Sequence, residues 1–326
     1  MPMADPSDLT EWLASGEAFR VSGPVRRIDT HAASIFLNGE TAWKIKRPVD
    51  LGYLDFSTPD KRRMALEAEL KLNRRTAPAL YKAVHPITRD EDGSFAIDGD
   101  GEAADWILEM RRFPDGALWS ELADRNALDE VALQKLADAL VGFHAKAQIA
   151  WPGDGAARIG KIIAGNAEAM ALYPDILEPK AVAELTGRLE AHVDQNSGLL
   201  DARGKAGRIR HVHGDLHLAN IATIDGVPTP FDCLEFDPEL ATTDVLYDLA
   251  FLLMDLPCCK GRPGKAIQRH VSRATGFGGI AGRRQGRLGE DPGQALAQDI
   301  AAQDASSWRP ADGIPERSRQ CRFART

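Results

Sequence analysis

The sequence predicts an α+β protein in which a small antiparallel β region carrying one helix precedes a mainly helical half. Three observations lead there. Asn38-Gly39 separates two short β-prone runs, Ser34 to Leu37 and Thr41 to Ile45, and Asn-Gly is a strong tight-turn signal because both residues tolerate positive φ. Ser57-Thr58-Pro59-Asp60 opens a single capped helix among the strand-like segments before Arg112. Beyond Arg112 the apolar spacing turns helical, as in Val131, Leu133, Leu136, Leu140 and Phe143.

In chain order, Ser7 to Leu13 has helical character, with Ser7 a possible N-cap. The hairpin follows and Pro48 ends its second strand. The helix opened at Ser57 runs through Met64, Leu66, Leu70 and Leu72 to about Arg75. Two further strands are expected near Leu80 to Ile87 and Ala104 to Met110, with Asp92-Gly93 and Asp98-Gly99 punctuating the loop between them. Helices are expected over Leu128 to Ala147, Ile159 to Tyr173, Glu178 to Val193 and Asp244 to Leu256. Short β-like segments, Ile209 to Val212 and Pro230 to Cys233, flank a polar loop. This divides the chain into an N-terminal helical extension (1–16), an N-lobe (17–112), a C-lobe (113–256) and an atypical tail (257–326).

The tail is a different kind of segment. It is rich in Gly and Arg, it holds three of the four cysteines, and it has no sustained apolar period. It is expected to be disordered or to derive from a frame-shift. Its charge is +7, from 13 basic and 6 acidic residues, which leaves −15 on residues 1–256 out of a net −8. Such an acidic body excludes nucleic acid as the main partner, since phosphate backbones need basic surface. It suits a cationic or polyhydroxylated small molecule. No apolar run approaches the ~20 residues that cross a bilayer, so no membrane partner is expected. No basic-then-apolar leader opens the sequence, and the cysteine spacing suits neither zinc nor a disulfide framework. The expected location is the cytoplasm. The oligomeric state is left open.

The strongest chemical signal is His211-Val212-His213-Gly214-Asp215-Leu216-His217-Leu218-Ala219-Asn220. An Asp and an Asn separated by four residues match the spacing of the H-R-D catalytic loop of protein kinases. Phosphoryl transfer needs a carboxylate beside the attacking hydroxyl and oxygen ligands on Mg²⁺, and one short loop can present both. Asp232 follows Asn220 by twelve residues, after a strand, an Asp225-Gly226 turn and a second strand. That hairpin would return Asp232 beside the loop, where Asn220 and Asp232 could share a hard cation.

These residues resemble the aminoglycoside phosphotransferase and choline-kinase-like superfamily, in which H-G-D replaces H-R-D on a two-lobed protein-kinase-like fold. Further segments are similar to one subgroup: Ala42-Trp43-Lys44-Ile45-Lys46-Arg47-Pro48-Val49, Leu54-Asp55-Phe56-Ser57-Thr58, Leu72-Asn73-Arg74-Arg75 and Phe231-Asp232-Cys233-Leu234-Glu235-Phe236-Asp237. In that subgroup a kinase-like half continues into a P-loop ATPase half. Here no G-x-x-x-x-G-K-[ST] occurs, and Gly264-Lys265-Ala266 does not meet it.

The resemblance implies an ATP- and Mg²⁺-dependent kinase that phosphorylates a hydroxyl of a small molecule. Asp215 would be the catalytic base and His213 a brace for its loop. Asn220 and Asp232 would hold Mg²⁺. Lys44 would contact the ATP phosphates and pair with Glu69, with Lys46 and Glu67 as the alternatives. Glu109 and Met110, at the end of the last N-lobe strand, would lie at the hinge beside adenine. Met110 could equally be core packing. His217 could serve the site or be solvated, Glu235 and Asp237 could meet a cationic acceptor or solvate a turn, and Asp248 would hold the loop from below. Two rival readings stay open: a catalytically impaired nucleotide-binding protein, and an AMP transferase on the same fold.

Overall fold

The computed structural model describes residues 6–19, 23–52, 54–151 and 153–256. The expectation for the tail, residues 257–326, lies outside the described residues. The structure has the α+β composition expected from the sequence, with a six-stranded antiparallel sheet and seven helices among the described residues. It divides into two compact units.

The first unit comprises the chain up to Leu122 together with Ala219–Phe236. Its strands are β1 (Arg26–Asp29), β2 (Ala33–Asn38), β3 (Thr41–Lys46), β4 (Tyr81–Arg89), β5 (Phe95–Ile97) and β6 (Glu102–Arg111), in the order β1-β2-β3-β6-β4-β5. The Asn-Gly hairpin forms as read, with Asn38 opposite Thr41 and Ile35 opposite Lys44. Strands β1 and β5 lack an apolar alternation that would announce them, since every residue of β1 is exposed. Helix α1 (Pro6–Ser15) buries Leu9 and Leu13 in a core with Phe36, Ile45, Ile87 and Ile107.

Helix α2 (Pro59–Asn73) packs on β3, β4 and β6. Thr58 caps it, its hydroxyl accepting from the Lys61 amide, and Pro59 occupies the first turn, where a missing N–H costs nothing. Its buried positions include charged and polar residues, Arg62, Glu69 and Asn73, alongside Leu66. Each of the three is matched. Arg62 meets the buried Asp105 and donates to the Phe56 carbonyl.

Among the described residues the second unit comprises Ala123–Leu218 and 237–256. Its helices are α4 (Glu130–Lys146), α5 (Gly155–Ala171), α6 (Pro179–Lys205) and α7 (Val245–Asp255), and a two-stranded ribbon pairs β7 (Ile209–His211) with β10 (Thr242–Asp244). The short α3 (Trp119–Asp124), which the sequence did not announce, leads the chain from the first unit. Helix α6 runs twelve residues past the Val193 expected as its end. Asn196, Ser197 and Gly198 weaken the local helical signal, and packing against α5 carries the helix through them. Gly155 opens α5 against α6 so closely that a Cβ there would lie 2.2 Å from the Leu200 carbonyl oxygen.

The expected β-segment Pro230 to Cys233 is corrected. Strand β9 (Val227–Pro230) pairs with β8 (Ile221–Ile224) and ends at Pro230. Past it the backbone turns, and Asp232 has φ 61°. No helix among the described residues is long and apolar enough to cross a membrane.

Candidate active site

In the first unit, β3 presents Lys44 and Lys46 on one face because side chains alternate along a strand. Both are buried, at 8% and 3% exposure. Helix α2 places Glu69, fully buried, against them. Lys44 Nζ donates to Glu69 Oε1 at 2.7 Å and to Asp232 Oδ1 at 3.0 Å. Lys46 Nζ lies 2.8 Å from Glu69 Oε2, an ionic contact without the alignment of a directed hydrogen bond, and donates to Glu235 Oε1 at 2.6 Å. Lys46 also sits over the Phe56 ring, 5.1 Å from its centroid.

Two expectations are thereby corrected. Choosing one lysine as the partner of Glu69 assumed that a single pair forms, but each carboxylate oxygen takes one ammonium. Glu235 neither faces a substrate nor solvates a turn, because its side chain is only 10% exposed and is spent on Lys46. Asp237, in the second unit, accepts from the Glu239 and Leu240 amides of its own turn.

Burial alone would depress both lysines, but the neighbouring carboxylates outweigh it. For Lys44 these are Asp232, Glu69 and Glu235; for Lys46, Glu69 and Glu235 prevail over burial and the repulsion of Lys44. Both lysines are held above the ordinary lysine range. Burial pushes the Glu235 carboxyl up against the pull of Lys46.

The segment Phe231–Glu235 is pinned at several points. Phe231 N–H donates to the Asn220 carbonyl at 2.9 Å, continuing the ladder that pairs Ile221 with Pro230. Asn220 and Asp232 therefore flank the open end of one hairpin. Asp232 N–H donates to the Tyr81 hydroxyl at 3.3 Å. Cys233 N–H donates to Asn73 Oδ1 at 2.8 Å, while Asn73 Nδ2 donates to the Glu69 carbonyl. Burial, then the charges of Glu69 and Asp232, push the Tyr81 hydroxyl well above its usual value. An aspartate in left-handed backbone is uncommon and costs about 1 kcal/mol or more, so these bonds hold Asp232 where it would not relax unaided.

Asn220 and Asp232 are the residues that could hold a hard divalent cation. One amide and one carboxylate oxygen match the few protein ligands Mg²⁺ takes, and the Asp232 side chain keeps 41% of its surface open. No group of three or more His, Cys, Asp or Glu that could hold a metal ion occurs among the described residues. Glu109 and Met110 lie on β6, opposite Trp43 and Ala42. The Glu109 side chain meets His85 at 3.2 Å, and Met110 packs in the apolar cluster of Leu66 and Leu108.

In the second unit, Val212 closes onto Ala241 and releases the chain into the polar loop. Gly214 has φ 84°, which is why glycine follows His213. Asp248, fully buried on α7, holds the loop. Its carboxylate accepts from His213 N–H at 2.9 Å and Gly214 N–H at 2.8 Å, and meets His144 Nε2 at 2.8 Å. Burial pushes Asp248 up, but His144 and the loop charges and amides prevail and hold it below the usual range. His213 is fully buried, and its Nδ1 accepts from Asp215 N–H at 3.4 Å. Asp215 keeps 41% of its side chain exposed and lies 3.4 Å from His217 Nε2. Burial draws the His217 value down, but Asp215 prevails and raises it. Burial and the Asp215 charge push the Tyr247 hydroxyl up to about 12. Asp255 accepts from Leu218 N–H at 2.7 Å.

Sequence reasoning assigned no role to Asn73, Tyr81 or His144. Asn73 carried a signal, a polar residue on the inward stripe of α2 within a quoted motif. Tyr81 and His144 carried none.

No protein-family model matches the chain. Over 232 residues it is 31% identical to uncharacterized proteins of Mycobacterium tuberculosis and Mycobacterium bovis, a span of 70% of this chain and 45% of each relative. The chain thus matches less than half the length of these curated relatives. Among solved structures it is similar to the ADP-bound aminoglycoside phosphotransferase APH(2'')-Ib, with 14% identity, 92% of this chain and 88% of that one covered, and a TM-score of 0.48. It is similar to a choline kinase from Cryptosporidium parvum at 12% identity, 89% and 85% coverage and a TM-score of 0.47. A glucosamine kinase in complex with glucosamine, ADP and inorganic phosphate follows at 19%, 92% and 80%, and 0.40.

Proposed function

We propose that the chain transfers the γ-phosphate of ATP to a hydroxyl of a small molecule. The observation that carries this reading is the buried Lys44–Glu69 pair held against Asp232. A lysine fixed by a helix carboxylate beside a partly open aspartate is what phosphate and divalent-cation binding require together. The charge count supports it. Glu69, Asp232 and Glu235 set three carboxylates against Lys44 and Lys46, so the cluster has one uncompensated negative charge that a cation offsets.

In this reading Lys44 neutralises phosphate oxygens while Glu69 keeps its ammonium aimed. Asn220 and Asp232 hold Mg²⁺, which when bound spreads the charge developing on the phosphates. Asp215 accepts the proton of the acceptor hydroxyl. As that oxygen bonds to the γ-phosphorus, the bond to the bridging β-phosphate oxygen breaks and ADP leaves. His213, locked beneath Asp215, keeps the carboxylate in place. The acidic body favours a cationic or polyhydroxylated acceptor.

The test is ADP release by the purified protein with a panel of hydroxylated metabolites. Asp215→Ala and Asp232→Asn should each lower turnover by about 10³-fold, and Asp215→Ala should leave the thermal melt in place. Wild-type turnover in either variant overturns the assignment.

A further inference from the structure

Lys46 and Glu235 are left without a role by the proposed reaction, yet they are among the most carefully matched side chains in the first unit. Lys46 is 3% exposed and its ammonium has three partners: Glu69 Oε2, Glu235 Oε1 and the Phe56 ring. Phe56 is itself buried and fixed, its carbonyl accepting from Arg62, which is clamped by Asp105. Thus β3, α2 and the Leu54–Thr58 turn converge on one ammonium, and Glu235 is the group that reaches it from outside those elements.

Glu235 stands three residues beyond Asp232. The bonds at Asp232 and Cys233, to Tyr81 and Asn73, come from backbone amides and could form with many side chains present. Two side chains also tie the segment to β3, Asp232 through Lys44 and Glu235 through Lys46, and of the two carboxylates Glu235 is the more deeply buried. The Glu235 bond is the shortest of the four, at 2.6 Å against 3.3, 2.8 and 3.0 Å. The backbone between is bent through the left-handed conformation of Asp232, which favours relaxation unless both flanks are tied. Phe231 is tied on one side by Asn220 and Glu235 on the other by Lys46.

We propose that the Glu235–Lys46 pair is a buried latch, with Glu235 a positioning residue that holds the Asp232 segment onto β3 and α2. The latch has a second consequence. By engaging Lys46, Glu235 leaves Lys44 as the ammonium that reaches Asp232, so the two lysines divide into one that anchors and one that faces the ligand. The latch rests on the geometry alone; its use for metal–nucleotide binding rests on the phosphotransferase reading.

The experiment separates the two. Amide hydrogen exchange is measured by NMR on the ligand-free protein and on Glu235→Gln, which keeps shape and removes charge. The latch predicts that the Asp232 and Cys233 amides exchange about tenfold faster or more in the variant, while amides in the centre of α2 and in β3 keep their wild-type rates. Unchanged rates at Asp232 and Cys233 overturn the latch. A uniform rise across α2 and β3 also overturns it, since that is the mark of a general structural role. Free Mn²⁺ is then followed by electron paramagnetic resonance in the presence of ADP. Positioning predicts that Glu235→Gln weakens Mn²⁺–ADP binding about tenfold, less than Asp232→Asn does. Unchanged affinity despite faster exchange overturns the positioning role and leaves the latch standing. Absence of Mn²⁺–ADP binding by the wild-type protein overturns the phosphotransferase reading and positioning together, with the exchange rates still deciding the latch.

Discussion

Removing Glu69 should show how the two buried lysines are held. Its two oxygens stand 2.7 and 2.8 Å from Lys44 and Lys46, and all three side chains are at most 10% exposed. At an effective dielectric near 20, each contact has a gross attraction of about 6 kcal/mol, much of it offset by desolvation. Breaking a buried pair by deleting one partner costs about 3–5 kcal/mol. Here Lys44 keeps Asp232 and Lys46 keeps Glu235, so neither is orphaned and Glu69→Ala should fall at the low end, about 3 kcal/mol. That is a large part of a typical stability of about 5–15 kcal/mol. Glu69→Gln is the sharper variant. Its carbonyl can serve one lysine, but its NH₂ must then face the other, so it should be no better than Glu69→Ala. If Glu69 served a single lysine, glutamine would recover most of the loss. The assay is urea unfolding at neutral pH with the slope checked for constancy. A Glu69→Gln midpoint equivalent to less than about 1 kcal/mol of loss would refute the shared-carboxylate account.

Two further outcomes follow from the same geometry. Lys44→Ala should weaken ATP binding, read by calorimetry, about tenfold more than Lys46→Met, because Lys44 is the lysine that reaches Asp232; the reverse order would assign the phosphates to Lys46. His217 should titrate above 6.5, since the Asp215 carboxylate beside it outweighs burial, and Asp215→Asn should bring its NMR-detected value down. With the folded value raised, the stability contributed by this pair is complete below pH 6.5 and is lost as pH rises through the folded value. A His217 that titrates unchanged in Asp215→Asn contradicts the contact.

The meeting of Lys44 with Glu69 was legible through the resemblance, which implies a strand lysine paired with a helix glutamate. Asn38-Gly39 located the strand and the Thr58–Pro59 start located the helix, but neither chose between Lys44 and Lys46 or between Glu69 and Glu67. The sharing with Lys46 could not be read that way. Period-2 alternation says that Lys44 and Lys46 share a face, but not that a chain segment nearly 190 residues away brings a second buried carboxylate to them. Glu235 looked like a turn residue because a buried glutamate has no pattern of its own; only its partner makes burial tolerable. Asn73 showed as a polar residue on the inward stripe of α2, but its partner, the Cys233 amide, is a backbone group that no side-chain pattern names. The polar loop was legible as chemistry through the Asp215–Asn220 spacing. Its support was only partly legible. Asp248 was expected through the resemblance to hold the loop from below, whereas His144 lies in an ordinary amphipathic helix. The late extension of α6 was obscured because tertiary packing, not local propensity, carries Asn196 to Gly198.

The central claim is tested most directly by following the phosphorus. Purified protein with ATP, Mg²⁺ and a panel of hydroxylated small molecules is examined by ³¹P NMR. The account predicts that ADP appears together with a new phosphomonoester resonance on one acceptor, in equal amounts, and that both are absent with Asp215→Ala. Release of pyrophosphate with the adenylate carried to the acceptor, or an unchanged ATP spectrum across the panel while the folded protein binds Mg²⁺–ATP, would contradict it.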